Sequence, residues 1–191
     1  MVDQTKILLS ADELGMVSDT TWHIRKRVIL QKVESMLAEM PLYIDGYFSS
    51  IMSRHNPYPP PKISRGDNYN GLPYLVLDHP RIFQKDNIFA LRTMFWWGKQ
   101  LSVTLHLSGS FNELYLPAIR EKFRDDLFMC AAGEEEWDHD VNGRGYAKLA
   151  QQGQLLDRRF NKIATAMDIA LANDAPSFFR DSYRKIAGIL V

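Results

Sequence analysis

The stretch LSVTLHLS, residues 101–108, alternates apolar and polar groups without a break, which rules Ser102, Thr104, His106 and Ser108 onto one side of an extended chain. Just before it, DNIFALRTMFWW (86–97) carries Arg92, Met94 and Trp96 at the same two-residue interval. A three-residue reversal over 98–100 pairs Trp97 with Leu101, Phe95 with Val103, Thr93 with Leu105 and Leu91 with Leu107. One face of that hairpin is apolar except for Thr93. The other holds Arg92, Met94 and Trp96 beside Ser102, Thr104 and His106, with Arg92 directly opposite His106. A two-residue loop would instead mix aromatic rings with hydroxyls, because a slip of one residue turns every side chain over.

The second face has the composition of a small-molecule pocket, apolar walls with a few polar groups. Arginine orients an anion through its planar fork, and histidine titrates near ~6.5, where it can move a proton. Arg92, Met94, Trp96, Ser102, Thr104 and His106 are therefore the candidate ligand-binding set, with His106 the candidate acid/base. The plainer alternative is the solvated side of a half-covered antiparallel sheet.

A second constellation is GEEEWDHDVNG, residues 133–143. Asp138, Asp140, Asn142 and Gly143 match the opening of a calcium loop. The twelfth position is Leu149, where such loops place a bidentate glutamate. An acidic turn built from Asp, Asn and Gly for backbone reasons is the simpler reading, and no metal is assigned. His139 stands opposite Glu136, Asp138 and Asp140 on an extended chain, free in principle to meet His106.

The elements that must hold these groups read as follows. From Asp19, an N-cap, the residues Trp22, Ile29, Val33, Met36, Leu37 and Met40 recur at helical spacing. Pro41 is expected to end or kink that helix, and LYIDGYFSSIM resumes it. NPYPPPKISRGDNYNG reads as a loop, in which P-x-x-P-x-K and Arg65-Gly66-Asp67 are turn sequence rather than recognition motifs. Residues 72–78, 86–97 and 101–108 are strands in an antiparallel meander. A helix follows, with Ser110 and Glu113 as capping box and Pro117 at its regular start. DLFMCAA is a fourth strand or a helix end. Leu149, Leu156, Phe160, Ile163, Met167 and Ala170 predict a further helix, and Pro176 opens the last one. Strands grouped between helices make an α+β fold, one domain over 1–191, with a three- or four-stranded meander packed against N-terminal and C-terminal helices.

Composition excludes several functions. Lys plus Arg and Asp plus Glu both number 23, so no net field recruits nucleic acid or an acidic membrane. No apolar run approaches the ~20 residues of a membrane span. The single cysteine, Cys130, follows an apolar run, fits an inert buried thiol and points to the cytoplasm. His23, His55 and His79 stand alone in the sequence. Nucleophile elbows, zinc-protease motifs and phosphate cradles are absent, and no cofactor is implied. The leading expectation is a soluble, non-catalytic module that binds a small ligand or an assembly partner on the polar face. The alternatives are a small metal-independent enzyme using His106 and Arg92, and a homodimer that buries the aromatic strand and the C-terminal helices.

Overall fold

Asn70 and Gly71 have φ of 50° and 83°, the two successive left-handed residues that a two-residue hairpin loop requires. They join strand β1 (Lys62–Tyr69) to β2 (Leu72–Phe83), with Tyr69 paired to Leu72 across the turn. The computed structural model describes residues 7–55, 58–122, 127–149 and 159–191. Part of the expected loop is thus a strand: the Asn-Gly turn signal outweighs the glycine and charge around it. Pro57 of the proline motif lies outside the described residues.

β2 is longer than the expected 72–78 and runs on through His79-Pro80. A bulge between Asp78 and Arg81 takes up the extra residue, so both of these point to the same face. β3 (Ile88–Trp96) and β4 (Gln100–Ser108) follow, joined by Trp97, Gly98 and Lys99. The loop has the expected three residues but begins one position earlier. Gly98 at its centre takes φ 67°, and the Lys99 N–H donates to the Trp96 carbonyl at 3.1 Å. The register therefore differs by two residues from the expected one. Phe95 pairs with Leu101, Arg92 with Thr104 and Ala90 with His106. A shift of two preserves the faces, so the polar and apolar sets separate as expected, but His106 sits diagonal to Arg92.

The stretch expected as a helix around Phe160 to Ala170 is instead β7 (Phe160–Asp168), paired with β4 along nine residues. Phe160, Ile163 and Met167 suit a helix by spacing. Yet Asn161, Ile163, Thr165 and Met167 also alternate, and the exposed edge of β4 decides in favour of the strand. Leu156, part of the same expected helix, lies outside the described residues. β5 (Met129–Ala131) and β6 (Tyr146–Lys148) complete an antiparallel seven-stranded sheet of order β1-β2-β3-β4-β7-β5-β6. LFMCAA thus contributes a strand.

Among the described residues four α-helices accompany the sheet: α1 (Ala11–Ser18), α2 (Thr20–Met52), α3 (Gly109–Lys122) and α4 (Ala175–Leu190). Asp19 caps α2, accepting from the Trp22 N–H at 3.0 Å. α2 continues through Pro41 and does not end there. Leu37, Met40, Ile44 and Phe48 pin both sides of the proline to the sheet, and that burial outweighs one lost backbone bond. α3 likewise begins before Pro117 and includes it. The predicted capping box is absent there, because the Ser110 N–H and hydroxyl both donate to Asn87 Oδ1 at 2.7 and 2.8 Å. Pro176 does open α4. No helix of the described residues is long and apolar enough to cross a membrane.

α2, α3 and α4 cover one face of the sheet. Leu91, Phe95, Leu101, Val103, Leu105 and Leu107 meet Leu37, Ile44, Phe48, Phe179 and Tyr183 in one core. Thr93, the polar exception on that face, shares a 2.6 Å hydrogen bond with the Tyr183 hydroxyl, and neither residue is exposed. Replacing Thr93→Val keeps the shape but strands that hydroxyl, and urea unfolding is expected to show a loss of ~1–3 kcal/mol. The double variant Thr93→Val/Tyr183→Phe should lose less than the sum of the two single changes; strictly additive losses would mean that the hydroxyl pair contributes nothing.

Candidate functional site

Strand pairing sets the site out in rows. Asp78, Arg92, Thr104 and Ala164 lie side by side on β2, β3, β4 and β7, and the next row holds Arg81, Ala90, His106 and Lys162. The third row contains Val76, Met94, Ser102 and Ala166. The alanines leave room above the sheet. Residues 132–145, the connection from β5 to β6, fill that room.

His139 enters this layer from the connection. Arg92 grips Asp78 with two parallel bonds, Nε to Oδ1 at 2.7 Å and Nη2 to Oδ2 at 2.9 Å, and its Nη1 faces His139 Nε2 at 2.7 Å. A guanidinium only donates, so Nε2 accepts and the ring proton sits on Nδ1. On its other side His139 Nδ1 lies 3.4 Å from Lys162 Nζ, and Lys162 also donates to the Asp138 carbonyl. An uncharged amine fits both contacts: it donates to the carbonyl and its lone pair faces the ring N–H. Gln100 secures the His139 carbonyl at 2.9 Å, while the Tyr69 hydroxyl accepts from the His139 N–H at 2.7 Å. Tyr146 donates to the Asp138 carbonyl at 2.9 Å.

His106 has a different partner. Its Nε2 lies 3.1 Å from Glu136 Oε1, and the other Glu136 oxygen takes a 2.9 Å bond from Arg159. The Trp137 ring packs edge-on at 5.4 Å.

Burial dominates the electrostatics. Desolvation, then the Lys162 and Arg92 charges, lower the His106 pKa to about 3, and the same causes with His106 added lower His139 to about 2. Desolvation is also the largest influence on Lys162, lowered to about 7 although the Asp138 carboxylate opposes the shift. Both rings are thus neutral near pH 7 and the amine is poised between its two forms.

The structure brings the six predicted ligand-binding residues onto one face but does not leave that face open. Met94, Trp96, Ser102 and Thr104 are each 2 % exposed or less, and His106 is also buried. Arg92 keeps an exposed fraction and lines a cleft of about 270 Å³ with Lys62, Ser64, Tyr74, Asp78 and Arg81. In the acidic loop, Asp138 Oδ1 accepts from the Asp140 N–H at 2.9 Å and from the Tyr69 hydroxyl at 3.3 Å, and Asn142 is exposed. Asp138 thus closes a local turn of the kind Asp and Asn favour. No cluster of three potential metal-binding side chains occurs among the described residues.

Sequence reasoning missed Lys162, Asp78, Lys62 and Arg81. The alternation in NKIATAM carried the signal for Lys162. The bulge that turns Arg81 toward Asp78 has no comparable mark in the sequence. His79, which the sequence leaves alone, is buried with its Nε2 2.7 Å from Asp45 of α2. No protein-family model matches the chain, and no curated protein or solved structure matches it either.

These lowered pKa values fix a sign. Each group is a base that binds protons more weakly when folded, so the unfolded chain holds more protons between the folded and ordinary values, and stability rises with pH across that interval. For His106 the interval runs from about 3 to 6.5, and for Lys162 from about 7 to 10.5. Urea midpoints should fall as the pH drops below about 6.5 and rise above about 7. Lys162→Met should flatten the upper rise. An unchanged slope in that variant would show that Lys162 keeps its charge in the fold.

Proposed function

We propose that the protein is a binding module for a small oxyanion, a carboxylate or phosphate group, held in the cleft beside Arg92. The observation that carries this reading is the charge of the lining. Lys62, Arg81 and Arg92 converge from three strands, with Asp78 the one carboxylate among the lining residues. Asp78 is already matched by the Arg92 fork. Arg81 spends its Nε on the Pro60 carbonyl at 2.6 Å, which holds its guanidinium in place and leaves the two terminal nitrogens to an anion. Lys62 has no ion-pair partner among the described residues.

The Arg92–Asp78 pair forms the floor, and Ser64 and Tyr74 supply polar edges. The volume sits just under the ~300 Å³ at which drug-sized pockets begin, which suits a small acid or a single phosphate. An acid–base role for His106 finds no support in this geometry, since a neutral buried ring held by Glu136 has neither access nor a pKa near neutrality. The buried thiol of Cys130 suits a reducing compartment, and the reading places the module in the cytoplasm.

Titration with inorganic phosphate and with citrate, followed by amide chemical shifts, tests the proposal. The expected result is a saturable change centred on Ser64, Tyr74 and Arg81 that weakens with added salt. Arg81→Ala and Lys62→Ala should each weaken binding by roughly tenfold. Shifts scattered over the surface, or equal binding by both variants, would sink it.

A further inference from the structure

The helical arm ahead of the sheet has no place in that reading. α1 buries none of its residues, and the first buried residue of α2 is Leu37. From Leu37 onward the stripe Leu37, Met40, Ile44, Phe48 packs on the sheet. The same stripe continues toward the N-terminus through Val33, which still packs against the core, to Ile29 and Trp22, which are 41 % and 48 % exposed. Leu30 is the first apolar residue of α2 that packs against the core, and the 10 residues from Thr20 to Ile29 ahead of it span about 15 Å at 1.5 Å per residue. Trp22, Ile24, Val28 and Ile29 are exposed along it.

We propose that the arm is the interface through which two copies of this chain associate. Three observations select a second copy. First, charge divides along the arm. From Ile7 to Trp22 the charged groups are Asp12, Glu13 and Asp19, and Arg25, Lys26 and Arg27 come next. A two-fold axis near Asp19 lays the acidic segment of each copy on the basic turn of the other, a self-complementary pairing. Second, the acidic helix cannot reach the basic turn of its own chain. Asp19 alone separates α1 from α2, whereas an antiparallel helical hairpin needs a loop of about 2–5 residues. Third, the surface is large enough. Ten exposed large hydrophobic residues between Ile7 and Ile29 offer on the order of 1,000 Å², against ~800 Å² per partner in a stable interface.

The elbow between the helices adds a receptor for the partner. Gly15, Met16, Val17, Asp19, Trp22 and His23 line a hollow of about 530 Å³, and beyond the neighbouring residues and backbone of its own helix nothing described stands within 4 Å of where a Gly15 side chain would begin. An apolar side chain from the second arm fills it. An anionic lipid surface would meet Asp12 and Glu13 with repulsion, so the charge pattern disfavours that occupant.

Sedimentation equilibrium of the full chain tests this, with the expected mass twice the 22.0 kDa of one copy. Trp22→Asp, at an exposed position that leaves the fold intact, should weaken association by more than about tenfold. Charge reversal gives a sharper test. Asp12→Lys/Glu13→Lys makes α1 basic and leaves only the capping Asp19 acidic, and Arg25→Glu/Lys26→Glu/Arg27→Glu reverses the basic turn of α2. Each variant alone should be a monomer, and an equimolar mixture should restore the dimer. A monomeric wild-type chain overturns the proposal, whether or not it binds phosphatidylserine vesicles. A dimer indifferent to all of these substitutions overturns it equally, because association then uses another surface.

Discussion

A guanidinium cannot lose its charge, so an arginine inside a fold needs partners for its donors, and Arg92 supplies the constraint on which the second face of this sheet depends. Its fork closes on Asp78 within the sheet, and its remaining nitrogen reaches His139 in the connection above. That one bond fixes the ring tautomer of His139, which in turn presents an N–H toward Lys162 and favours the uncharged amine. Three cationic residue types thereby share a buried layer while only Arg92 is charged throughout. The 132–145 connection is anchored by these contacts, with Val141, and Tyr146 where the chain enters β6, as the apolar footing against Phe160 and Ala164.

The two faces of the sheet are solved by different physics. Toward the helices, large aliphatic and aromatic groups exclude water, and the one polar intruder, Thr93, is matched to Tyr183. Toward the connection, the Gln100 amide and the two imidazoles are removed from water against specific partners: Gln100 on the His139 carbonyl, His139 on Arg92, and His106 on Glu136. On the apolar face a deleted side chain costs lost burial and a cavity, whereas a missing partner in the polar layer leaves a buried charge or donor with its desolvation penalty uncompensated. This difference explains why the cleft opens beside Arg92. There the cover ends, and the cationic groups beyond it, Lys62 and Arg81, are reached by solvent.

Much of the architecture was legible because it rests on short-range periodicity. The alternation in LSVTLHLS identified β4 and the division of its side chains. Asp19 marked a helix start through a bond three residues away. Prolines misled: Pro41 and Pro117 break helices in isolation, but here packing on both sides of each holds the helix together. The stretch from Phe160 misled for the opposite reason, since alanines and well-spaced large groups suit either period and only the free edge of β4 selects the strand. At the site, six residues were correctly assigned to one face, yet the groups that set its chemistry, Asp78, His139 and Lys162, come from three segments far apart in the chain.

The sequence by itself determined an α+β fold with an antiparallel meander, the capped start of the long helix, and which side chains of the central hairpin share a surface, because each follows from a repeat of two or of three to four residues. Only the tertiary structure decided that this surface is covered rather than open, that the hairpin is offset by two residues, and that its imidazoles are neutral. Those outcomes depend on desolvation and on charges brought together from distant positions, and neither has a local signature in the chain.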